Sequence, residues 1–437
     1  MFPFWAKVQK NTGNISCTSQ TSISLQPNLQ AMTLTPKISK RNFYSLVWHS
    51  AFLALSRPFM DTDTVIPSML VDAGGTAVQI GIMTAIMVGG ASLTQLFFAP
   101  FVSNFHYKKG FLLLGINLRV LALLGMGLML YFSSLLQPQV IIWLIFVLIT
   151  IFSFSGAFAN VSYMDIFGKS VLPESRKPFF SLRQAINGVV LFLAALAAKQ
   201  VLSAYNYPRN YAIMYFIAFG ALLTASLGFW NLREIIPSKL TVKGPKHFIQ
   251  LVRTELKQNP RLKYFLGFIN TMGVSITLLP FIILYGKEVY HTQSGSTGWF
   301  LLVKITGSVL TALTLFFLAG KYKYRSLLYG GAILAFLLPL LILFPFHVPA
   351  LAVIFFIGGI VYTSYSISMN GVLLEISGTE NRTLYTGIAG AGSILPAIFP
   401  LAGGWIIKHL GFFPFFGLFM ILVLSSLFFI YKLNCKN

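Results

Sequence analysis

The stretch HYKKGFLLLG at residues 106–115 has a counterpart, KYKYRSLLYG, at residues 321–330. In both, a short basic segment is followed directly by an apolar run that is long enough to enter a bilayer. Each copy also follows a long apolar segment, so the two occupy corresponding places in the two halves of the chain. This repetition predicts a helical membrane protein built from two related halves.

The composition agrees with a membrane protein. Hydrophobic residues make up 56% of the chain and charged residues 10%, against about 25% charged residues in a typical soluble domain. A helix that crosses a bilayer needs about 20 apolar residues. Twelve stretches qualify, at 43–69, 79–103, 111–133, 140–162, 183–204, 211–230, 264–285, 297–319, 326–346, 349–370, 384–406 and 411–432.

The basic residues predict the orientation of these spans. Most of the 32 Lys and Arg lie near the two termini or in every second connection. In the other connections we find only Lys199, Arg209, Lys287 and Lys408. Because cytoplasmic loops are enriched in Lys and Arg, we expect a bacterial inner-membrane protein with both termini in the cytoplasm. The net charge of +22 is dispersed along loops, which argues against nucleic-acid binding and fits attraction to anionic membrane lipids.

The spans divide the chain into four parts. We expect a disordered cytoplasmic tail at 1–42, a six-helix bundle at 43–230, a cytoplasmic middle loop at 231–263 and a second six-helix bundle with a short cytoplasmic tail at 264–437. The two cysteines, Cys17 and Cys435, lie near the termini, so no disulfide is expected in the reducing cytoplasm.

A second internal echo supports two similar halves. The segment YMDIFGKSVLPESRKPFFS at 163–181 aligns with SMNGVLLEISGTENRTLYT at 368–386. The alignment pairs Asp165 with Asn370 and Lys177 with Arg382. These echoes fall at corresponding positions of a plan of six spans followed by six.

Several segments resemble transporters of the major facilitator superfamily. They are the basic turn APFVSNFHYKKG at 99–110, its counterpart LAGKYKYRS at 318–326 and the Gly- and Pro-rich GAGSILPAIFPLAGGWIIKHLG at 390–411. Two more, TVIPSMLVDAGGTAVQIGI at 64–82 and LPESRKPFFSLRQAING at 172–188, are similar to bacterial members without an assigned substrate. The resemblance covers nearly all of residues 40–435.

The resemblance implies an all-α fold of twelve transmembrane helices in two six-helix bundles. Such bundles surround a cavity at the midplane and open it alternately to the two sides. The first, fourth, seventh and tenth helices should line the cavity. Three departures argue against drug–proton antiport. Asn104 replaces the acidic residue usual in the turn after the second helix, the fourth helix lacks the Arg common in the family, and the fifth helix keeps only Gly188 of a Gly-Pro signature.

Charged residues inside the first span are the strongest candidates for a site. Arg57 and Asp61 are four residues apart and would share one face of a continuous helix. Intramembrane charge is costly and seldom faces lipid. The pair is either structural, including a latch at an extracellular gate, or takes part directly in substrate or proton handling. Asp63 would point away from Asp61, toward a solvated helix end.

Two further basic residues lie within predicted spans. Lys304 has no acidic partner in the membrane spans of the second half, so it either extends to the interface or faces the cavity and offers an anion site. Arg119 lies in the third helix, which is peripheral in the family, and we favour a structural bond for it.

Uncharged polar residues concentrate on the predicted lining helices. They are either hydrogen-bonding contacts between helices or part of a polar pathway, and we favour the pathway. The candidates are Asn270 in the seventh span and Tyr362, Ser366 and Asn370 in the tenth.

Charged residues near the predicted cytoplasmic helix ends suggest gate salt bridges. The alternative is that these residues are simply solvated helix termini. The candidates are Lys108, Lys109, Asp165, Arg176, Lys177, Lys321, Arg325, Glu375 and Arg382.

These features predict a secondary active transporter, or permease, that moves a small solute by alternating access. We favour an anionic or polar organic substrate, with a proton as the candidate coupling ion, and expect a monomer. The six His are scattered, without a metal-binding pair, phosphate-binding loop or Cys cluster, so we expect no enzyme, cofactor or metal. The alternative is a transport-incompetent relative that acts as a membrane sensor or assembly protein.

Overall fold

The computed structural model describes residues 34–238, 245–318, 323–343, 348–377 and 382–433. Within these ranges all regular structure is helical. The first half contains seven α-helices: α1 Pro36–Ser56, α2 Val65–Asp72, α3 Ala77–Ser103, α4 Lys109–Tyr131, α5 Pro138–Ser170, α6 Pro173–Ala204 and α7 Arg209–Asn231. The second half contains nine: α8 Pro245–Gln258, α9 Pro260–Thr271, α10 Leu279–Tyr290, α11 Ser294–Phe317, α12 Tyr324–Leu343, α13 Val348–Ser377, α14 Arg382–Gly392, α15 Leu395–Leu410 and α16 Phe412–Leu433.

The helices follow the predicted order of twelve membrane passages. In the described ranges, ten helical segments are long and apolar enough to cross a membrane, and they correspond to the third through twelfth predicted spans. The first passage is interrupted between α1 and α2. In the second passage, the part of α3 at Ala77–Gly90 is apolar but shorter than a full membrane span. The fold is therefore the all-α membrane architecture expected from the sequence.

The first helix begins earlier than the sequence indicated. We expected the tail to extend to residue 42, but Thr35 caps a helix that starts at Pro36. Asn42 is fully buried. Its amide nitrogen donates to the carbonyls of Ser170 and Arg233, and its Oδ1 accepts from the Arg233 backbone. These contacts attach the start of α1 to the end of α5 and to the segment that follows α7. The polar composition of this part of the chain gives no indication of them. The remainder of the predicted tail, residues 1–33, lies outside the described residues.

The middle connection also contains regular structure. Helix α8 occupies Pro245–Gln258, within the region predicted as a loop. Asn259 then caps α9, whose first residue is Pro260 rather than residue 264. Proline suits this first position because its missing N–H would have no partner there in any case.

Three passages are interrupted by local breaks. The first contains a 3-10 turn at Arg57–Met60, and the seventh contains one at Met272–Thr277. The eleventh breaks between α14 and α15 just before Pro396. Interrupted helices are tolerated at membrane depth where the freed backbone groups find protein partners or line a cavity.

The two halves meet through two pairs of long helices, α3 with α15 and α6 with α11. Glycines permit a close approach in the first pair. A Cβ on Gly81 would lie 2.3 Å from the Pro400 carbonyl oxygen, and one on Gly404 would lie 2.5 Å from that of Ala77. The second passage therefore packs directly against the eleventh.

Candidate functional site

The break in the first passage changes the direction of its carboxylates. Asp61 has an extended backbone conformation. Its Oδ1 accepts hydrogen bonds from the Asp63 backbone N–H at 3.1 Å and from the Thr64 hydroxyl at 2.8 Å. These bonds hold the segment that leads into α2. Because this segment is not helical, the angle between residues on a helix does not apply to it. Asp61 and Asp63 therefore lie on the same side.

Both carboxylates bind Lys304 of α11. The Lys304 Nζ lies 2.7 Å from Asp61 Oδ2 and 2.6 Å from Asp63 Oδ2. The three side chains are only 7%, 15% and 14% exposed for Lys304, Asp61 and Asp63. We call these three residues the Lys304 triad. It joins the two halves, and with all groups ionised it carries one excess negative charge.

This arrangement corrects three sequence-based expectations. Asp61 is paired with Lys304 rather than with Arg57, whose side chain is exposed. Lys304 is buried rather than extended to the interface, and its acidic partners come from the other half. Asp63 is a partner of that lysine instead of a solvated helix end. The reason is the same in each case, because the predictions assumed one continuous helix and a partner within the same half.

A second polar cluster joins the halves through Asp72. Its Oδ1 binds the Lys287 ammonium at 2.6 Å, and its Oδ2 accepts from Tyr211 at 2.9 Å and Ser294 at 3.1 Å. Ser68 extends the cluster, since its hydroxyl lies 2.7 Å from that of Tyr211 and 2.8 Å from that of Thr297. We call this set the Asp72 cluster.

Sequence reasoning missed the Asp72 cluster. Asp72 and Lys287 lie at the ends of α2 and α10, where a charged residue is ordinarily solvated. A possible signal was that Lys287 is one of the few basic residues in connections otherwise free of them. The role of Lys287 became clear only from the structure, in which Asp72 lies opposite as its acidic partner.

Among the described residues, every side-chain hydrogen bond and ion pair between the halves belongs to the Lys304 triad or the Asp72 cluster. Both lie toward the end of the bundle where α2 meets α10 and α11, which we call the closed end. The opposite end carries the described parts of the middle connection, residues 232–238 and 245–259, and we call it the connection end.

At the connection end, the first half forms its own charge network. Asp165 binds Lys108 at 3.1 Å and Lys169 at 2.9 Å, and Lys169 also binds Glu234 at 2.7 Å. Glu234 accepts from the backbone N–H groups of Lys108 and Lys109 at the start of α4. The carboxylate therefore satisfies free donors at a helix N-terminus.

The second half forms a separate network at the same end. Arg261 binds Glu375 at 2.6 Å. The Tyr385 hydroxyl donates to Glu255 at 2.8 Å and accepts from Asn259 at 3.0 Å. Within the described residues neither network reaches the other half.

The predicted cytoplasmic gate residues are thus divided between the halves. Lys109 and Arg176 donate to backbone carbonyls of their own half, Lys177 is exposed, and Arg325 lies over the Tyr329 ring. Lys321 and the side chain of Arg382 lie outside the described residues.

Asn270 has a structural role at the break in the eleventh passage. Its Oδ1 accepts from the backbone N–H groups of Ile394 and Leu395, at 3.0 and 2.8 Å. Its Nδ2 donates to the carbonyls of Leu266 and Gly392. One amide thereby satisfies the backbone groups that the interrupted helix leaves free.

The predicted polar face of α13 lies away from its packed face. Ser364, Tyr365 and Ser368 are buried. Tyr362 and Asn370 are exposed, and the Asn370 amide donates to the Ser366 carbonyl. The structure brings neither residue to the Lys304 triad.

Comparisons with known proteins identify relatives by family and by fold. The family model described as Major Facilitator Superfamily matches residues 54–313 and 264–434. Among curated proteins, none matches the chain significantly. The structure is similar to a mutant of the nucleoside transporter NupG, with a TM-score of 0.65 and 13% identity over 90% of this chain and 98% of the other.

Two POT transporter structures are similar to nearly the same extent. One is a POT family transporter in complex with a thioalcohol-conjugated peptide, with a TM-score of 0.64 and 14% identity over 90% of this chain and 95% of the other. The other is a mutant of the peptide transporter POT in complex with alafosfalin, with a TM-score of 0.64 and 12% identity over 91% and 96%. At these identities the likeness concerns the fold alone.

Proposed function

Because the chain belongs to the Major Facilitator Superfamily, we propose that it is a secondary transporter that moves a small anionic or polar organic solute by alternating access. It is a multi-pass membrane transporter rather than an enzyme. The similar structures include a nucleoside transporter and a peptide transporter, and this difference leaves the substrate to be identified by direct tests. We expect the protein to act as a monomer in the bacterial inner membrane.

The position of the contacts between the halves supports alternating access. Both inter-half clusters lie toward the closed end, whereas the charge networks at the connection end stay within their own halves. Among the described residues, the side-chain hydrogen bonds and ion pairs that join the halves lie at the closed end only. Transport requires these ties to break as the halves rock and expose the site to the other side.

The Lys304 triad supports proton coupling. Two carboxylates and one ammonium are buried together at the closed end. Burial disfavours the excess negative charge, and one proton on the carboxylates makes the triad neutral. When the halves separate and water enters, both carboxylates are free to ionise. The closed end therefore binds a proton as it forms and releases it when it opens.

The orientation follows from the positive-inside rule. The connection end contains Lys108, Lys109 and Lys169, together with most basic loops. We assign this end to the cytoplasm and the closed end to the outside. The described conformation is then closed to the outside.

Distance measurements between spin labels test this mechanism. In a background with Cys17 and Cys435 replaced by Ser, one pair of labels at Thr76 and Gln293 monitors the closed end. A second pair at Glu174 and Arg253 monitors the connection end. We expect acidification to increase the population with a short distance at the closed end.

Three variants complete the test. Asp63→Asn should abolish the pH response while the closed population remains, because one ionised carboxylate then balances the one ammonium and no bound proton is needed for neutrality. Lys304→Gln should reduce the closed population at all pH values, and Lys408→Gln, an exposed lysine near the same end, is the matched control. A closed population that is independent of pH in the unmodified protein would refute proton coupling, and distances at the two ends that never change in opposite directions would refute alternating access.

A screen for ligands identifies the substrate class. Purified protein is heated with a metabolite library, since a ligand that binds the folded form raises the unfolding temperature. Compounds that stabilise the protein are then tested for uptake into proteoliposomes. Binding without uptake would favour the sensor or assembly function over transport.

A further inference from the structure

Three buried hydroxyls of the Asp72 cluster are linked in series. The Tyr211 hydroxyl donates to Asp72 Oδ2 at 2.9 Å. The Ser68 hydroxyl lies 2.7 Å from the hydroxyl of Tyr211 and 2.8 Å from that of Thr297. All three side chains are buried. The series therefore runs from α11 of the second half, through α2 and α7 of the first half, to a carboxylate at the end of α2.

The carboxylate fixes the direction of every hydrogen bond in this series. Each hydroxyl has one hydrogen to donate, whereas an ionised carboxylate only accepts. Because Tyr211 donates its hydrogen to Asp72, the next bond runs from the Ser68 hydroxyl to the Tyr211 oxygen. The Ser68 hydrogen is then in use, so Thr297 donates to Ser68. We call this series, from Thr297 through Ser68 and Tyr211 to Asp72, the hydroxyl chain.

Two groups of the second half hold the carboxylate at the end of the hydroxyl chain. The Lys287 ammonium lies 2.6 Å from Asp72 Oδ1, and the Ser294 hydroxyl donates to Asp72 Oδ2 at 3.1 Å. With Asp72 and Lys287 ionised, the chain and its two partners carry no net charge. The Lys304 triad differs, because it carries one excess negative charge when all of its groups are ionised.

Other titratable groups lie near the hydroxyl chain without bonding to it in the described part of the protein. The centre of the Tyr207 ring lies 6.2 Å from that of Tyr211. Glu288 and His291, at the end of α10, are exposed. The charge balance of the chain therefore depends on Asp72 and Lys287.

The hydroxyl chain sets the register of α2 against α11. On α11, Thr297 precedes Lys304 by seven residues, so the two share a helix face. On α2, Ser68 lies one turn beyond Thr64, whose hydroxyl donates to Asp61. The contact of Ser68 with Thr297 therefore aligns the two helices in the register in which Asp61 reaches Lys304.

We propose that Ser68, Tyr211 and Thr297 are positioning residues for the Lys304 triad. The hydroxyl chain holds α2 on α11 so that Lys304 binds both carboxylates, and the charge of Asp72 holds the chain in a single direction. This inference rests on the proposed function and deepens it. The triad provides the response of the closed end to pH, and the neutral chain provides a contribution to closing that does not need a proton.

The test follows the closed population as a function of pH with the spin labels at Thr76 and Gln293. Tyr211→Phe and Thr297→Val each remove one hydroxyl and keep nearly the same side-chain size. Loss of one typical hydrogen bond should lower the ratio of closed to open protein about 2- to 10-fold. Because closing takes up one proton, the midpoint should move to lower pH by up to about one unit, with an unchanged slope.

Matched controls separate the hydroxyl chain from a general effect of losing a hydroxyl. Thr297→Ser keeps the hydroxyl and should restore the behaviour of the unmodified protein. Tyr215→Phe removes a buried hydroxyl of α7 that has no hydrogen-bond partner. Thr306→Val removes a hydroxyl of α11 that donates to the Leu302 carbonyl of its own helix. All three control variants should keep the midpoint of the unmodified protein.

The outcomes keep this inference distinct from the proposed function. An unchanged midpoint in both Tyr211→Phe and Thr297→Val would overturn the positioning role, and since the two residues lie in different halves, a folding defect in one leaves the other to decide. A pH response that disappears in these variants, as expected for Asp63→Asn, would also overturn it, because the chain would then belong to the proton site. If the unmodified protein shows no pH response, proton coupling fails, and the positioning role then requires a closed population that falls in both variants and in none of the controls.

Discussion

At the scale of single residues, the Lys304 triad differs from an ordinary ion pair because one cation is shared by two acids. Asp61 also accepts two hydrogen bonds at the entry to α2, a role that the oxygen of an asparagine fulfils too. Removing one negative charge leaves Lys304 a partner, whereas removing both leaves a buried ammonium without one. The effects of the substitutions should therefore be strongly non-additive.

We predict that Asp61→Asn and Asp63→Asn are each tolerated, while the double variant loses about 3–5 kcal/mol of stability, the cost of leaving a buried charge unpaired. Chemical unfolding of the purified protein in detergent provides the measurement, and Glu174→Gln, which removes an exposed acidic charge elsewhere, serves as the control. Equal losses from the single and double variants would show that Lys304 is not the shared partner of both acids.

At the scale of elements, the interrupted passages position the site. The break at Arg57–Met60 turns Asp61 and Asp63 toward α11. Asn270 stabilises the break between α14 and α15 through backbone contacts. Because α15 packs on α3, the broken passages and the contact between the halves depend on each other.

Close packing of α3 on α15 should control the stability of the closed end. We predict that Gly81→Ala shifts the spin-label distances toward the open population, since its Cβ would lie 2.3 Å from the Pro400 carbonyl. Gly417→Ala is the matched control, because no atom lies within 4 Å of its Cβ. In a helix that control should be neutral or stabilising by up to about 1 kcal/mol. An unchanged distance distribution in the Gly81 variant would mean that this contact does not govern closure.

At the scale of the whole molecule, the two ends have different chemistry. The connection end has separate charge networks in each half, and the closed end has two clusters shared between the halves. Under the proposed alternating access, breaking the shared clusters would separate the halves without disrupting either network. Each half would then move as a unit about the contacts of α3 with α15 and α6 with α11.

The assignment of these ends to the two sides of the membrane is a prediction that fusions can check. Reporter proteins fused at residue 245 and at the C-terminus should both indicate the cytoplasm, because the surrounding loops are basic. A fusion at Gln293, in the connection that reaches the closed end, should indicate the outside. A reporter at residue 245 and one at Gln293 on the same side would overturn the assignment.

The sequence by itself determined the fold class and the order of the helices. These properties follow from the length and spacing of apolar stretches, which depend on each segment alone. The repeated basic turns likewise placed the two halves. Single residues inside spans, such as Arg57 and Lys304, were recognisable as candidates because charge within an apolar stretch is conspicuous whatever its partner.

Only the tertiary structure decided which charges meet. The partners of Lys304 come from the other half of the chain, and a helix break that local periodicity does not reveal turns both of them toward it. Asp72 and Lys287 stand at helix ends where the sequence offers no reason to pair them. An ion pair forms according to distance in space, and the packing of one half on the other sets that distance.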